Sequence, residues 1–137
     1  MNTIKKTNPE TIEISIVVPI YNERENLVLL DQEITKSIKP LNKSYEVILV
    51  DDGSMDGSSE LIRALQGKNS AIRLIRFGHN HGQTAAFAAG FDKARGDIIV
   101  TMDADLQNSP SDIPLLLTAI KDYDVVCGWR HKRNDPW

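Results

Sequence analysis

The sequence predicts an α/β domain built on a doubly wound, mainly parallel sheet. Short β-branched runs bounded by turn residues alternate regularly with longer amphipathic stretches. Three of the short runs are almost continuously apolar, as expected of strands covered by helices on both faces. Such alternation implies right-handed βαβ units. With 137 residues and 41% apolar content, the chain is sufficient for one core.

Residues 1–11 are polar and aperiodic and are expected to form a flexible tail, leaving 12–137 as the domain. Strands are predicted at "EISIVVP" (13–19), "YEVILV" (45–50), "AIRLIRF" (71–77), "DIIVTM" (97–102) and "YDVVCG" (123–128). Between the first two, Leu27, Leu30, Ile34 and Ile38 line one face of a helix. A second helix spans about 56–67, with Leu61, Ile62 and Leu65 behind an Asp56 N-cap and Gly67 near its end. A third, "QTAAFAAGFDKAR" (83–95), has alanines that favour helix and permit close packing on a sheet. "SPSDIP" (109–114) opens a fourth. Ser109 can cap it with Pro110 in the first helical position; the alternative start is Pro114, which fits that register poorly.

Composition excludes several classes. A formal net charge of −3 without a Lys/Arg cluster argues against a nucleic-acid surface, and the one basic run, "WRHKRNDPW", is short and contains acid. No stretch approaches the ~18 apolar residues of a membrane span. The first 15 residues lack the apolar core of a signal peptide, so a cytoplasmic chain is expected. Cys127 is the single cysteine, which leaves no disulfide framework or cysteine metal site; it reads as a small buried apolar residue.

In a doubly wound sheet, ligands bind beyond the carboxyl ends of the strands. The first predicted strand runs into Pro19, Tyr21, Asn22 and Glu23, and the second into Asp51, Asp52, Gly53 and Ser54. The fourth delivers Asp103, Asp105 and Gln107, and the fifth Gly128, Trp129 and Arg130. Two carboxylates at ~4 Å repel by ~4 kcal/mol at an effective dielectric of ~20. Asp103 and Asp105 therefore either point into water or share a cation. Two carboxylates and the Gln107 amide are hard oxygen ligands suited to Mg²⁺ or Mn²⁺.

A lone D-x-D is weak, and "DYD" (122–124) is read as a turn. "DDGSMDGS" suits an Asp/Gly/Ser-rich turn and nucleoside binding about equally. His79 and His81 in "GHNHG" are read as a polar loop and not as metal ligands. Tyr21 suits stacking on a base and packing at the sheet edge equally. Gly82 and Gly96 are turn glycines. Without G-x-G-x-x-G or a P-loop motif, a bound diphosphate needs a metal to neutralise it.

The segments "SIVVPIYNERENL", "VILVDDGSMDGS", "GQTAAFAAGFDKARGDIIVTMDADLQNSPSDIP" and "VVCGWR" together resemble the family 2 inverting glycosyltransferases. Within that family they are most similar to polyprenyl-phosphate sugar transferases of the dolichol-phosphate mannose synthase type. The resemblance runs from about Ile14 to Trp137 and implies a GT-A fold, Rossmann-like, with a nucleotide-diphosphate sugar (UDP- or GDP-linked) as donor. It assigns Pro19, Tyr21, Glu23, Val50 and Asp52 to the nucleoside. Asp103, Ala104, Asp105 and Gln107 go to the diphosphate and Mg²⁺ or Mn²⁺, and Arg130 to the phosphates or the acceptor phosphate. Asp103, Asp105 and Arg130 are the expected catalytic set. The acceptor implied is a lipid phosphate at the cytoplasmic face of the membrane, and an oligomer is compatible with the sequence.

Family members continue past the point where this chain ends, with an acceptor-binding half. The chain is thus expected to be truncated before that half. A phosphorylation-switched receiver domain is disfavoured, because its expected acidic pair, phosphoacceptor Asp and Lys are replaced by "YNE", "GHN" and "WRH". A non-catalytic nucleotide-binding remnant is the remaining alternative. The 137-residue chain alone is expected to bind donor but to transfer sugar poorly or not at all, which a transfer assay on the purified chain checks.

Overall fold

The computed structural model describes residues 11–129. Strands β1 (Ile14–Ile20), β2 (Tyr45–Asp51), β3 (Ile72–Arg76) and β4 (Ile98–Thr101) form one parallel sheet in the order β3-β2-β1-β4. Ile14 pairs with Tyr45 on one side and Ile98 on the other, and Val47 with Ile72. Helices α1 (Arg24–Ile38), α2 (Ser58–Gln66), α3 (Gln83–Lys93) and α4 (Ile113–Ala119) connect and follow the strands. The first three strands are laid down in one direction, and β4 returns to the far side of β1. The strand order therefore reverses between β1 and β4, where a crevice opens at the carboxyl ends.

Side-chain alternation sorts the strands onto two faces. Ile14, Ile16, Val18, Ile20, Val47 and Leu49 join the main core with the apolar stripes of α1, α2 and α4. Leu27, Leu30, Ile34 and Ile38 are each at most 1% exposed, and burying each contributes roughly 1.5–3 kcal/mol. The Glu23 side chain does not itself cap the start of α1, and packing of this apolar face is the main support of the helix. On the other face Val17, Ile48 and Val50 meet Ala86 of α3. A Cβ at Gly90 would collide with the Val17 side chain, so glycine there sets how closely α3 lies on the sheet.

At the amino end of β2, Glu46 is 1% exposed. Its carboxylate accepts from Ser15 Oγ (2.7 Å), Arg73 Nη1 (2.7 Å), Arg95 Nε (2.9 Å) and the Arg95 N–H (2.8 Å). Gly96 N–H also donates to Ser15 Oγ, and a Cβ at Gly96 would lie 2.5 Å from the Ser15 nitrogen. Together these contacts tie the turn before β4 to the sheet. Burial pushes the Glu46 carboxyl up, but hydrogen bonds from Ser15, the Arg95 backbone, Arg73 and the Arg95 side chain outweigh it and bring it down to about 2.

Each of the first four predicted strands forms. The run 123–128 does not join the sheet: no described residue there is in a strand, and Tyr123 and Val125 are 69% and 76% exposed. Strand propensity expresses a fit to a pleated, partly buried surface, and this segment has no ladder partner among the described residues. Cys127 is consequently exposed, against the expectation of burial. The Ser109 and Pro114 alternatives both hold. The Ser109 hydroxyl accepts from Ser111 N–H to open a 3₁₀ turn at Pro110–Asp112, and Pro114 sits in the first turn of α4. Apart from Thr11, the expected tail lies outside the described residues.

The depressed Glu46 carboxyl contributes stability that is fully present above its ordinary value of 4.5 and is lost as pH falls towards 2. The full effect is on the order of 3 kcal/mol. Urea unfolding between pH 7 and pH 2.5 is expected to show this loss. Glu46→Gln is expected to be less stable at pH 7 and to depend less on pH over that range.

Candidate active site

The turn leaving β2 organises the cleft. Asp51 is fully buried; its carboxylate accepts from Ser54 N–H at 2.8 Å and from the Ser59 hydroxyl. Asp52 is 3% exposed, and its two oxygens accept from His81 N–H (2.7 Å) and Gly82 N–H (2.9 Å) in the loop leading into α3. Gly53 has φ +79°, and a Cβ there would lie 2.5 Å from the His79 carbonyl carbon. Only glycine lets the two loops meet this closely.

The same turn also holds the segment after β1. Asn22, itself left-handed at φ 52°, donates its N–H to Ser54 Oγ (2.9 Å), and its Oδ1 accepts from Met55 N–H (2.9 Å). Asp56 accepts from Arg24 N–H (3.1 Å) at the start of α1, and from Ser58 N–H (3.0 Å) and Ser58 Oγ (2.6 Å) at the start of α2. The N-cap of α2 is Gly57 and not the expected Asp56, whose carboxylate one residue earlier still takes the N–H groups of the first residues of both helices. Burial pushes the Asp56 carboxyl up, and the hydrogen bonds from Ser58 and Arg24 more than offset this, leaving it lowered. Glu23 accepts from the Asn26 side chain at 2.7 Å, which fixes its carboxylate at the cleft wall.

Past β4 the chain turns through Leu106 in the left-handed region, at φ 62°, an uncommon conformation for a bulky side chain. Asp105 Oδ1 accepts from Gln107 N–H at 3.1 Å, and Asp103 Oδ1 from Gln83 Nε2 at 2.8 Å. The second oxygen of each carboxylate takes no hydrogen bond from the described residues.

These segments enclose a cleft of about 410 Å³ at the crevice between β1 and β4. Pro19, Tyr21, Glu23, Asp52, Asp103, Ala104 and Asp105 all line it. Tyr21 stands 50% exposed at its edge. The Val50 side chain is fully buried beneath α3 and does not line the cleft. Gln107 is exposed outside the lining and touches Asp105 through its backbone N–H. Arg130 lies outside the described residues. Ile20, Asn80, Gly82 and Gln83 complete the lining and are not among the sequence-predicted residues. The rule that finds the others finds three of these too, because "GHNHGQ" follows a strand.

Among the described residues no three His, Cys, Asp or Glu side chains are grouped to hold a metal ion by themselves. His81 packs edge-on against Phe77, with ring centroids 5.2 Å apart, and His79 lies over His81 at 4.0 Å. Two cleft carboxylates, each with one oxygen that takes no hydrogen bond from the described residues, still match what Mg²⁺ or Mn²⁺ takes from a protein when phosphates and water complete its shell. The donor set is compatible with such an ion, which Asp103 and Asp105 would hold.

A parallel α/β sheet with an acid-rimmed cleft at its strand reversal is the architecture of a GT-A-type fold. Residues 15–137 match the family model described as Glycosyl transferase family 2, and the chain belongs to that family. It is 47% identical, over 90% of its length, to an undecaprenyl-phosphate 4-deoxy-4-formamido-L-arabinose transferase of Aeromonas hydrophila subsp. hydrophila. It spans only 39% and 41% of the length of two curated relatives of that name. Its fold is similar to a mannosyltransferase of Pyrobaculum calidifontis in complex with GDP-Man and Mn²⁺, at TM-score 0.70 and 24% identity over 82% of this chain and 33% of that one. It is also similar to glucosyl-3-phosphoglycerate synthase of Mycobacterium tuberculosis in complex with Mn²⁺, UDP and glucosyl-3-phosphoglycerate. There the TM-score is 0.59 and the identity 26%, covering 82% of this chain and 41% of that one.

Asp56→Ala removes the acceptor shared by the first turns of α1 and α2. A loss of about 1–2 kcal/mol in urea unfolding is expected, the cost of removing a helix cap.

Proposed function

We propose that the cleft binds a nucleotide-diphosphate sugar, UDP- or GDP-linked, together with Mg²⁺ or Mn²⁺. On this reading the chain supplies the donor-binding part of an enzyme that transfers the sugar to a polyprenyl phosphate with inversion. One observation carries the proposal: residues from the ends of β1, β2 and β4, far apart in sequence, line a single cleft with two carboxylates on its rim. The nucleoside side is walled by Pro19, Tyr21, Glu23 and Asp52, with Val50 supporting it from the core. The diphosphate side is formed by Asp103, Ala104 and Asp105, with Gln107 bracing Asp105 and Arg130 assigned to the phosphates by its motif. The name of the curated relative supports an undecaprenyl phosphate acceptor, and the Mn²⁺ and nucleotide bound in the synthase structure support the donor and cation.

The chemistry suits these groups. Negative charge builds on the diphosphate as its bond to the anomeric carbon breaks, and a bound divalent cation would supply the compensating charge. Asp103 and Asp105 would hold that cation, and Pro19, Tyr21, Glu23 and Asp52 would position the nucleoside. An acceptor phosphate is already ionised at neutral pH, so its oxygen attacks the opposite face of the sugar without a general base. An acceptor at the cytoplasmic face of the membrane fits this role. Among the described residues no helix is long and apolar enough to cross a membrane.

Calorimetric titration with UDP and GDP, each with and without Mn²⁺, tests the proposal. Binding is expected to require the cation and to weaken by at least about tenfold in Asp103→Ala/Asp105→Ala. Absence of binding, or equal affinity without metal, overturns it.

A further inference from the structure

The two carboxylates after β4 are not held alike. Asp105 Oδ1 accepts from Gln107 N–H, a contact within its own turn. Asp103 Oδ1 accepts instead from Gln83 Nε2 at 2.8 Å, from another element of the fold. Gln83 is the first residue of α3, is exposed and lines the cleft. This is the one hydrogen bond its side chain makes among the described residues. Gly82 before it donates its N–H to Asp52, so the amide stands on an anchored backbone. A carboxylate otherwise rotates freely about its last bond. One hydrogen bond to Oδ1 fixes it and leaves Oδ2 without a partner among the described residues.

The donor is neutral. Elsewhere in the fold, buried Glu46 is paired with two guanidinium groups, Arg73 at 2.7 Å and Arg95 at 2.8 Å, which offset its charge. No Lys, Arg or His pairs with Asp103 among the described residues. A positive group beside Asp103 would repel a divalent ion. A carboxamide orients the carboxylate and leaves its charge in place.

We infer that Gln83 is a positioning residue: its side-chain amide, delivered by the start of α3, holds Asp103 in the orientation a divalent cation needs without offsetting its charge. The inference rests on the reading of the cleft as a cation-assisted diphosphate site. It adds a residue outside the acidic segment on which cation affinity depends. A residue that acts through Asp103 loses its effect once Asp103 no longer holds the ion, whereas one that touches the ligand itself keeps it.

The experiment is a double-mutant cycle on the whole 137-residue chain: wild type, Gln83→Met, Asp103→Asn and the double variant, with Gln83→Lys alongside. Methionine keeps the length of the side chain and removes its N–H donors. Calorimetric titration of UDP and of GDP at a series of fixed Mn²⁺ concentrations gives the Mn²⁺ requirement of each protein. Urea unfolding without metal is run on each. Gln83→Met is expected to raise the Mn²⁺ requirement about tenfold, as loss of an outer contact to a metal ligand does, and to leave the urea midpoint unchanged. In the Asp103→Asn background the same change is expected to matter by less than about twofold. Gln83→Lys keeps a donor but adds a positive charge, and is expected to raise the requirement at least as far as Gln83→Met. A requirement within about twofold of wild type in Gln83→Met or Gln83→Lys overturns the inference and leaves the reading of the cleft intact. So does a loss of about tenfold that persists in Asp103→Asn, which makes Gln83 a ligand contact. Should Gln83→Met fail to fold, Gln83→Ala takes its place in the cycle. No nucleotide binding by the wild type at any Mn²⁺ concentration overturns the underlying reading, and the inference with it.

Discussion

Backbone N–H groups at loop ends must find acceptors, and three segments around this cleft find theirs in one turn. Asp52 takes two from the loop before α3, Ser54 takes one from Asn22, and Asp56 takes one from the first residue of α1. The turn is itself closed by Asp51, fully buried, accepting from Ser54 and Ser59. Each bond is modest by itself, but an unpaired buried donor or acceptor is costly, so the set holds together. The shape of this side of the cleft follows from this turn.

The sheet supplies the other constraint. A strand order of β3-β2-β1-β4 places the reversal at β1 and β4, so the chain leaving β1 and the chain leaving β4 diverge around a gap. Tyr21 and Glu23 border that gap from one strand, and Asp103 and Asp105 from the other. Acidic groups that would repel one another in a closed core are tolerable at such an opening, where water or a cation reaches them. At the opposite end of the sheet, buried Glu46 is instead satisfied by two arginines, a serine and a backbone N–H, and it secures the fold away from the site.

Most of the framework is legible in the sequence because it is written in local periodicity. The stripe Leu27–Leu30–Ile34–Ile38 foretells the buried face of α1, and the near-continuous apolar runs foretell strands covered on both sides. The cleft is legible for a different reason: polar residues that interrupt apolar runs at strand ends can gather only where the topology brings strand ends together. The fifth run shows where local pattern stops being sufficient. "YDVVCG" carries strand propensity, but Tyr123 and Val125 remain exposed, because propensity cannot create a neighbouring strand.

The sequence by itself determined the fold class, the buried face of α1 and the set of acids gathered at one sheet edge, since these depend on spacing and polarity alone. Only the tertiary structure decided what each acid does. Asp51 and Asp52 are neighbours of the same chemistry, yet one closes its own turn and the other holds a loop about thirty residues away. Asn80 follows a strand in the sequence, but it lines the cleft only where Gly53 and Asp52 hold its loop against the turn after β2. Hydrogen-bond partners distant in sequence are set by the packing of the whole chain, and no local pattern encodes them.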